Sequence, residues 1–392
     1  MLGKGSHNAE SQVSLCGSID SQDPKVEITA ASVVCGTCRM KCGLSCRTCP
    51  VCEAAPRLNL GGYSFLGEKK ALYDASTGPD LANSIVFLAR AKSPTASGRS
   101  KGGEEDEMQI AMKLVPLDGD PSSVEMARRE IQVFQTLGSS RHPNLLPLLF
   151  GAETETELVL LTPYAPSGDL DSLTRIAGGV YKCLEECEAA ALASQLLAGL
   201  ASLHSLRYVH GDFKPHNIFL TEIDGALVAQ IGDFGLTRRV SRNAEGVECV
   251  GGTSGFMAPE LVGRESSGSG PQPIETYAAD LFALGVTLYQ LLSSMSPFDP
   301  PSNVRAPLEF DEACWGPLLP SSREFVATLL ARDPKARSTA ADLARHPWLA
   351  AAADVPKGAP RQKFAPHPEP GLRFHTAARV QELSTFVLHV DD

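Results

Sequence analysis

No stretch of eighteen uninterrupted apolar residues occurs in the 392-residue sequence, so it offers no candidate for a membrane-crossing helix. The opening Met1-Leu2-Gly3-Lys4-Gly5-Ser6 lacks the apolar core of a secretory leader, and Gly3 stands one place too late for N-myristoylation. An excess of cations is missing too. Lys and Arg number 35 against 46 Asp and Glu, and the formal charge of −11 argues against general nucleic-acid binding. The expectation is a soluble intracellular chain, cytoplasmic with the nucleus left open, without a transmembrane segment or nucleic-acid partner. What the sequence does have is an apolar share of 43 %, enough at this length to bury a sizeable core in one domain with tails.

The chain divides by texture. Residues 1 to about 30 are polar without periodicity and read as a disordered tail. Residues 31–54 are cysteine-rich. From about 60 to 165 strand-like runs dominate, among them Ile85-Val86-Phe87-Leu88-Ala89-Arg90 and Leu158-Val159-Leu160-Leu161. Between them, Lys92 to Met108 reads as a low-complexity insertion. From 166 to 349 helical patterns take over. Leu192, Leu196, Leu200 and Leu203 share one face of a predicted helix, and Tyr277 to Leu292 is apolar nearly all round, as a buried helix would be. Thr339 and Asp342 have capping-box spacing, predicting a last helix that ends near His346-Pro347-Trp348-Leu349. A proline-rich tail occupies 350–392.

Chemistry concentrates in His210-Gly211-Asp212-Phe213-Lys214-Pro215-His216-Asn217, followed by Asp233-Phe234-Gly235. Moving a phosphoryl group from a magnesium nucleotide to a hydroxyl requires a carboxylate to orient the acceptor, oxygen ligands for the metal and a cation for the developing charge. Asp212 suits the first role, Asn217 and Asp233 the second, and Lys214 the third. Asp-Phe-Gly alone is a weak signal. The order of further segments strengthens it: Gln109-Ile110-Ala111-Met112-Lys113 alternates like a strand ending in a lysine, and Ala258-Pro259-Glu260 follows downstream.

In this ordered set, covering about 290 residues, the chain resembles the eukaryotic protein kinases of the serine/threonine type. The resemblance implies an α+β fold of two lobes: a small β-rich lobe over 60–165 and a larger helical lobe over 166–349. It implies ATP and magnesium as cofactors, with Asn217 and Asp233 as magnesium ligands, and protein substrates with Ser or Thr acceptors. By the same likeness Lys113 binds phosphate and pairs with Glu130, favoured over Glu125. Gly67 stands in the phosphate loop, Val86 counts with the nucleotide-binding residues, Thr162 is the gatekeeper, Ala165 offers its backbone to adenine, and Asp169 sits by the ribose. Arg337 is placed to pair with Glu260, and Asp280 to brace the catalytic loop. Lys214, two residues after Asp212, and Thr253 both favour Ser/Thr acceptors over Tyr.

Two departures stand out. Lys69 and Leu72 occupy places where further glycines are expected, and Leu72 to Asn83 reads as an insertion before the next strand. Gly211 replaces the Arg that in most kinases pairs with a phosphorylated activation loop, which predicts activity independent of such phosphorylation. These departures keep a second reading open, a kinase-fold scaffold with weak or no catalysis.

Cys35, Cys38, Cys42, Cys46, Cys49 and Cys52 fall within eighteen residues, and the outer four read C-x₂-C-x₁₀-C-x₂-C. Such pairs converge readily on one tetrahedral zinc, making Cys35, Cys38, Cys49 and Cys52 candidate ligands. A thiol-rich tail without fixed structure, palmitoylation and redox sensing stand beside that reading.

Overall fold

The computed structural model describes residues 32–35, 56–60, 63–74, 84–92, 107–138, 142–154, 156–176, 180–223, 226–262, 274–299 and 301–353. The polar start, Cys38 to Cys52 and the tail after 353 lie outside the described residues. The chain forms two compact units. One holds the residues up to Gly138 together with Pro147–Tyr164, and the other holds Ser139–Leu146 and continues from Ala165. The expected division near 165 is thus joined by a second crossing, because Asn144 and Leu146 bond to the second unit: Ile231 N donates to Asn144 O, and Leu146 N to Ile231 O.

The first unit is built on an antiparallel sheet. Its strands are β1 (Ser32–Cys35), β2 (Pro56–Leu60), β3 (Tyr63–Asp74), β4 (Ile85–Lys92), β5 (Glu107–Pro116), β6 (Phe150–Glu153) and β7 (Glu157–Pro163), in the order β1-β2-β3-β4-β5-β7-β6. In β5 the alternation read from the sequence buries Ile110, Met112 and Leu114 and turns Ala111 and Lys113 to the other face. Residues 93–106 connect β4 to β5 beyond the pair Lys92↔Glu107. Helix α1 (Pro121–Gly138) opens where the Asp120 carboxylate accepts from Ser123 N at 3.0 Å, with Pro at the first helical position. It packs on β5 and β7 through Val124, Ala127, Ile131 and Phe134. Arg128 clamps it to β6 by a two-pronged bond to Glu153, at 3.0 and 2.7 Å.

One expectation fails in this sheet. Leu72 to Asp74 is strand, not insertion: β3 runs unbroken from Tyr63 and pairs with β4 as far as Asp74↔Ile85, so the connection is 75–84. Gly67 therefore lies inside β3, at a register shift between Leu66 and Lys70, and not in the turn. A lone glycine in a strand marks a bulge as readily as a loop, and the sequence does not separate the two.

The second unit is mainly helical. After α2 (Leu170–Thr174), β8 (Arg175–Ile176) and β9 (Val180–Tyr181) comes α3 (Glu186–Ser205), in which Leu192, Leu196, Leu200 and Leu203 are all buried as the periodicity predicts. Short strands frame the loops that follow: β10 (Tyr208–Val209) pairs with β13 (Arg238–Arg239), β11 (Ile218–Ile223) with β12 (Ala226–Ile231), and β14 (Val247–Glu248) with β15 (Ile274–Glu275). Helix α4 (Tyr277–Ser293) is buried on nearly every side. Each fully buried Leu there contributes roughly 1.5–3 kcal/mol relative to exposure, which makes α4 the anchor of this unit.

The last elements are α5 (Glu312–Trp315), α6 (Pro320–Leu329), α7 (Ala340–Leu343) and α8 (Pro347–Ala353). The Thr339 side chain caps α7 by accepting from Asp342 N, but that helix is a single turn, and Pro347 starts a new helix where the sequence suggests an end. Glu186, buried at the start of α3, accepts from Leu319 N and from Trp348 Nε1, and so ties three helices together.

Candidate active site

Within the second unit, β10 delivers the chain into the segment His210–Asn217, and a 3-10 turn, Pro215–Asn217, passes it on to β11. The segment hangs on Asp280 of α4, whose carboxylate accepts from His210 N (2.9 Å) and Gly211 N (3.1 Å) and meets His204 Nε2 at 2.8 Å. His210 is fully buried. Its Nδ1 accepts from Asp212 N, so Nε2 carries the proton toward Gly232 O at 3.1 Å. Its ring also meets Phe213 and Phe234, which seats the Asp233-Phe234-Gly235 turn beside it. Asp233 sits in the left-handed region (φ 57), a conformation short polar residues tolerate, and its side chain is exposed.

The Asp212 carboxylate is the focus of the site. Asn217 Nδ2 donates to its Oδ2 at 3.2 Å and to Asp212 O at 2.8 Å, and Lys214 Nζ lies 2.7 Å from the same Oδ2. On Oδ1 it accepts from Thr253 N (3.0 Å) and from the Thr253 hydroxyl (2.7 Å), and that hydroxyl accepts from Lys214 Nζ at 2.6 Å. A hydroxyl is thus held between a carboxylate that takes its proton-bearing side and an ammonium on its oxygen. This geometry suits proton removal from an attacking alcohol. Asn217 spends its amide hydrogens on Asp212, which leaves its Oδ1 as a hard-oxygen acceptor.

In the first unit Lys113 Nζ bonds Glu130 Oε2 at 2.7 Å, the lysine partly exposed and the glutamate buried. Glu125 pairs with Arg129 on the helix surface instead. Val86 lies opposite Lys113, and Thr162, half-buried in β7, opposite Ala111. In the second unit, Ala165 is buried and its carbonyl accepts from Gly168 N, while Asp169 caps α2 through Ser172 N at 2.7 Å. Glu260 and Arg337 form a two-pronged pair at 2.7 and 2.9 Å, with the guanidinium fully buried over the Phe282 ring. Among the described residues no group of three or more His, Cys, Asp or Glu side chains is arranged to hold a metal. Of the candidate zinc ligands only Cys35 is described, at the end of β1 opposite Pro56.

Two features escape sequence reasoning. His216 Nε2 lies 3.4 Å from Asp171 Oδ2, a pairing that joins α2 to the catalytic segment. Glu275, in β15, is buried at 5 % exposure, and burial, with Asp280 and Asp212 nearby, pushes its carboxyl up to about 8. A two-residue strand has no periodicity, so nothing in the sequence distinguishes Glu275 from a surface acid.

Comparison with known proteins agrees with this geometry. Residues 98–349, more than half of the chain, match the protein kinase domain. The chain is 33 % identical over 249 residues to myosin light chain kinase 2, skeletal/cardiac muscle, of Bos taurus, covering 62 % of this chain and 37 % of the relative. To calcium/calmodulin-dependent protein kinase type 1B of Homo sapiens it is 31 % identical over 248 residues, covering 61 % and 67 %. To serine/threonine-protein kinase 36 of Pongo abelii it is 33 % identical over 245 residues, covering 62 % and 17 %. The chain spans less than two fifths of the length of the myosin light chain kinases it matches. With its sheet unit, its helical unit and the ordered catalytic segments between residues 98 and 349, the chain belongs to the protein kinase family.

Proposed function

We propose that this chain is a serine/threonine kinase that transfers the γ-phosphoryl group of ATP to Ser or Thr hydroxyls of protein substrates. The observation that carries the reading is the Thr253 hydroxyl held between Asp212 and Lys214. A substrate hydroxyl in its place would hand its proton to Asp212, while Lys214 steadies the charge on the transferring group. Asn217 and Asp233 would hold magnesium, which when bound neutralises charge on the phosphate oxygens. By the family resemblance Lys113, fixed by Glu130, is assigned to the nucleotide phosphates, and Val86, Thr162, Ala165 and Asp169 are assigned to nucleoside binding residue by residue. That the Lys113–Glu130 and Lys214–Asp212 pairs are both formed supports catalysis over a scaffold role.

The test is phosphate incorporation, read by intact mass, with magnesium ATP and a serine-rich substrate. Asp212→Asn is expected to lower the rate by about 10²–10⁴-fold without lowering the melting temperature. Equal incorporation by the variant, or none by either protein together with no stabilisation by nucleotide, overturns the reading in favour of the scaffold.

Finer assignments rest on sequence alone. We assign zinc to Cys35, Cys38, Cys49 and Cys52 on their spacing, and metal content before and after Cys38→Ser checks it. A cytoplasmic location and the absence of a nucleic-acid partner rest on composition. Among the described residues no helix is long and apolar enough to cross a membrane.

A further inference from the structure

The pairing of β10 with β13 extends one rung beyond the two strands. Their register, Tyr208↔Arg239 and Val209↔Arg238, continues to Arg207 and Val240, where Val240 N donates to Arg207 O at 2.7 Å. In an antiparallel pair of this kind the return bond would run from Arg207 N to Val240 O. It cannot form, because α3 ends here and Arg207 N is committed to His204 O at 2.9 Å. Val240 is buried at 3 % exposure, so its carbonyl would be left without a donor. The Arg207 side chain provides one, since its guanidinium donates to Val240 O. A single residue thus engages both backbone groups of Val240, one through its carbonyl and the other through its side chain.

Arg207 does this from an unfavourable backbone conformation. Its φ is 69, just past the end of α3, where Gly or Asn is usual because a Cβ crowds the backbone in the left-handed region. A glycine would end the helix with less strain, so the cap alone gives no reason for an arginine. The guanidinium also lies beside the Tyr277 hydroxyl in the first turn of α4. The Tyr277 ring is 4.8 Å from that of His204, whose Nε2 meets Asp280. The side chain therefore links the start of the activation segment, the stretch between Asp233 and Thr253 on which Val240 lies, to the helix turn that holds the catalytic segment. We propose that Arg207 is a positioning residue for phosphoryl transfer, its guanidinium standing in for the missing ladder donor and clamping the activation segment onto β10, the strand that leads to Asp212. Strain of this kind persists where surrounding bonds over-determine it, as the two bonds to Val240 do here. The effect on rate rests on the kinase reading, whereas the clamp itself stands on the β10 and β13 geometry.

The experiment compares the full-length protein with Arg207→Gly, which removes the strain and the guanidinium together, by hydrogen exchange, melting temperature, kcat and KM. Exchange at the Val240 amide should quicken by about tenfold, the loss of one charge-assisted bond, while exchange in α6, away from the clamp, stays as it was. The melting temperature should stay within about 2 °C, since the relieved backbone offsets the lost bond. A fall in kcat of about tenfold is expected with the KM for ATP unchanged, the split that separates positioning from nucleotide binding. Arg207→Asn, which tolerates the left-handed conformation but lacks the reach, should behave like the glycine variant, and Arg207→Lys, which keeps a cationic donor, should recover part of the rate. A glycine variant that melts higher and matches the wild type in exchange and kcat would reduce Arg207 to a poor helix cap and overturn the proposal. Faster exchange at Val240 with an unchanged kcat overturns the positioning role, and faster exchange in α6 as well overturns its local character. If Arg207→Gly fails to fold, the asparagine variant decides on the same readouts. A wild-type protein that transfers no phosphate defeats the kinase reading instead, and exchange at Val240 still decides the clamp.

Discussion

The catalytic segment and the activation segment that faces it are held by two acids only five residues apart, and the two acids are used in opposite ways. Asp280 and Glu275 are both buried, at 2 % and 5 % exposure. Asp280 sits in the first turn of α4, reached by two backbone N–H groups and a histidine ring, so its buried charge is compensated and the loop above it is fixed. Glu275 precedes the helix in a two-residue strand, receives no donor among the described residues and holds the activation segment only through its backbone, opposite Val247. The same residue chemistry thus gives a rigid anchor in one region and an uncompensated group in the other. What separates them is the supply of donors, since burial is nearly equal.

The largest effect that breaks the contrast comes from removing the anchor. Asp280→Ala leaves the His210 and Gly211 amides buried without an acceptor. Each such orphan costs about 1–3 kcal/mol, so a loss of roughly 2–6 kcal/mol is expected in denaturant unfolding, with phosphoryl transfer falling alongside. A change below 1 kcal/mol would mean that Asp280 does not carry the loop.

Removing the uncompensated acid should do the reverse. The folded-state value of Glu275 lies above its unfolded value, about 8 against 4.5. The folded protein therefore holds a proton that the unfolded chain has released between these values. The stability this contributes is complete below pH 4.5 and is lost as pH rises toward 8. Glu275→Gln keeps the shape without the charge, so the variant should gain on the wild type through this window by up to about 1.4 kcal/mol per pH unit, and the gap should stop widening above pH 8. Parallel stability curves for the two proteins would show that the carboxyl ionises normally.

This contrast also marks how far the sequence could be read. Asp212, Lys214, Asn217 and Asp280 were legible because a short ordered motif fixes their spacing and a long buried helix announces itself by composition. The Lys113–Glu130 pair was legible through the family resemblance, which picks out a strand ending in a lysine and a glutamate on the following helix. Gly67 was misplaced, since a bulge and a loop use glycine for the same conformational reason. The last helix was misread because proline both ends and begins helices. Glu275 was invisible. Its character comes from what fails to reach it in three dimensions, and no local pattern encodes a missing partner.

The smallest expected effect concerns phosphorylation of the activation segment, and it follows from the way that segment is held. A phosphate on Ser241 or Thr253 would order the segment by recruiting a cation, but position 211 supplies none. Order comes instead from the β14–β15 pairing at Val247↔Glu275 and Glu248↔Ile274, and from Thr253 N and its hydroxyl bonding Asp212. Neither contact involves a modifiable charge in its bonded state, and a phosphate on Thr253 would occupy the hydroxyl that Asp212 and Lys214 hold. Phosphatase treatment of active protein should therefore leave the phosphoryl-transfer rate unchanged, and Ser241→Ala should do the same. A large fall in rate after dephosphorylation would show that the segment depends on a charge pair outside these contacts, and the strand pairing would no longer suffice as its explanation.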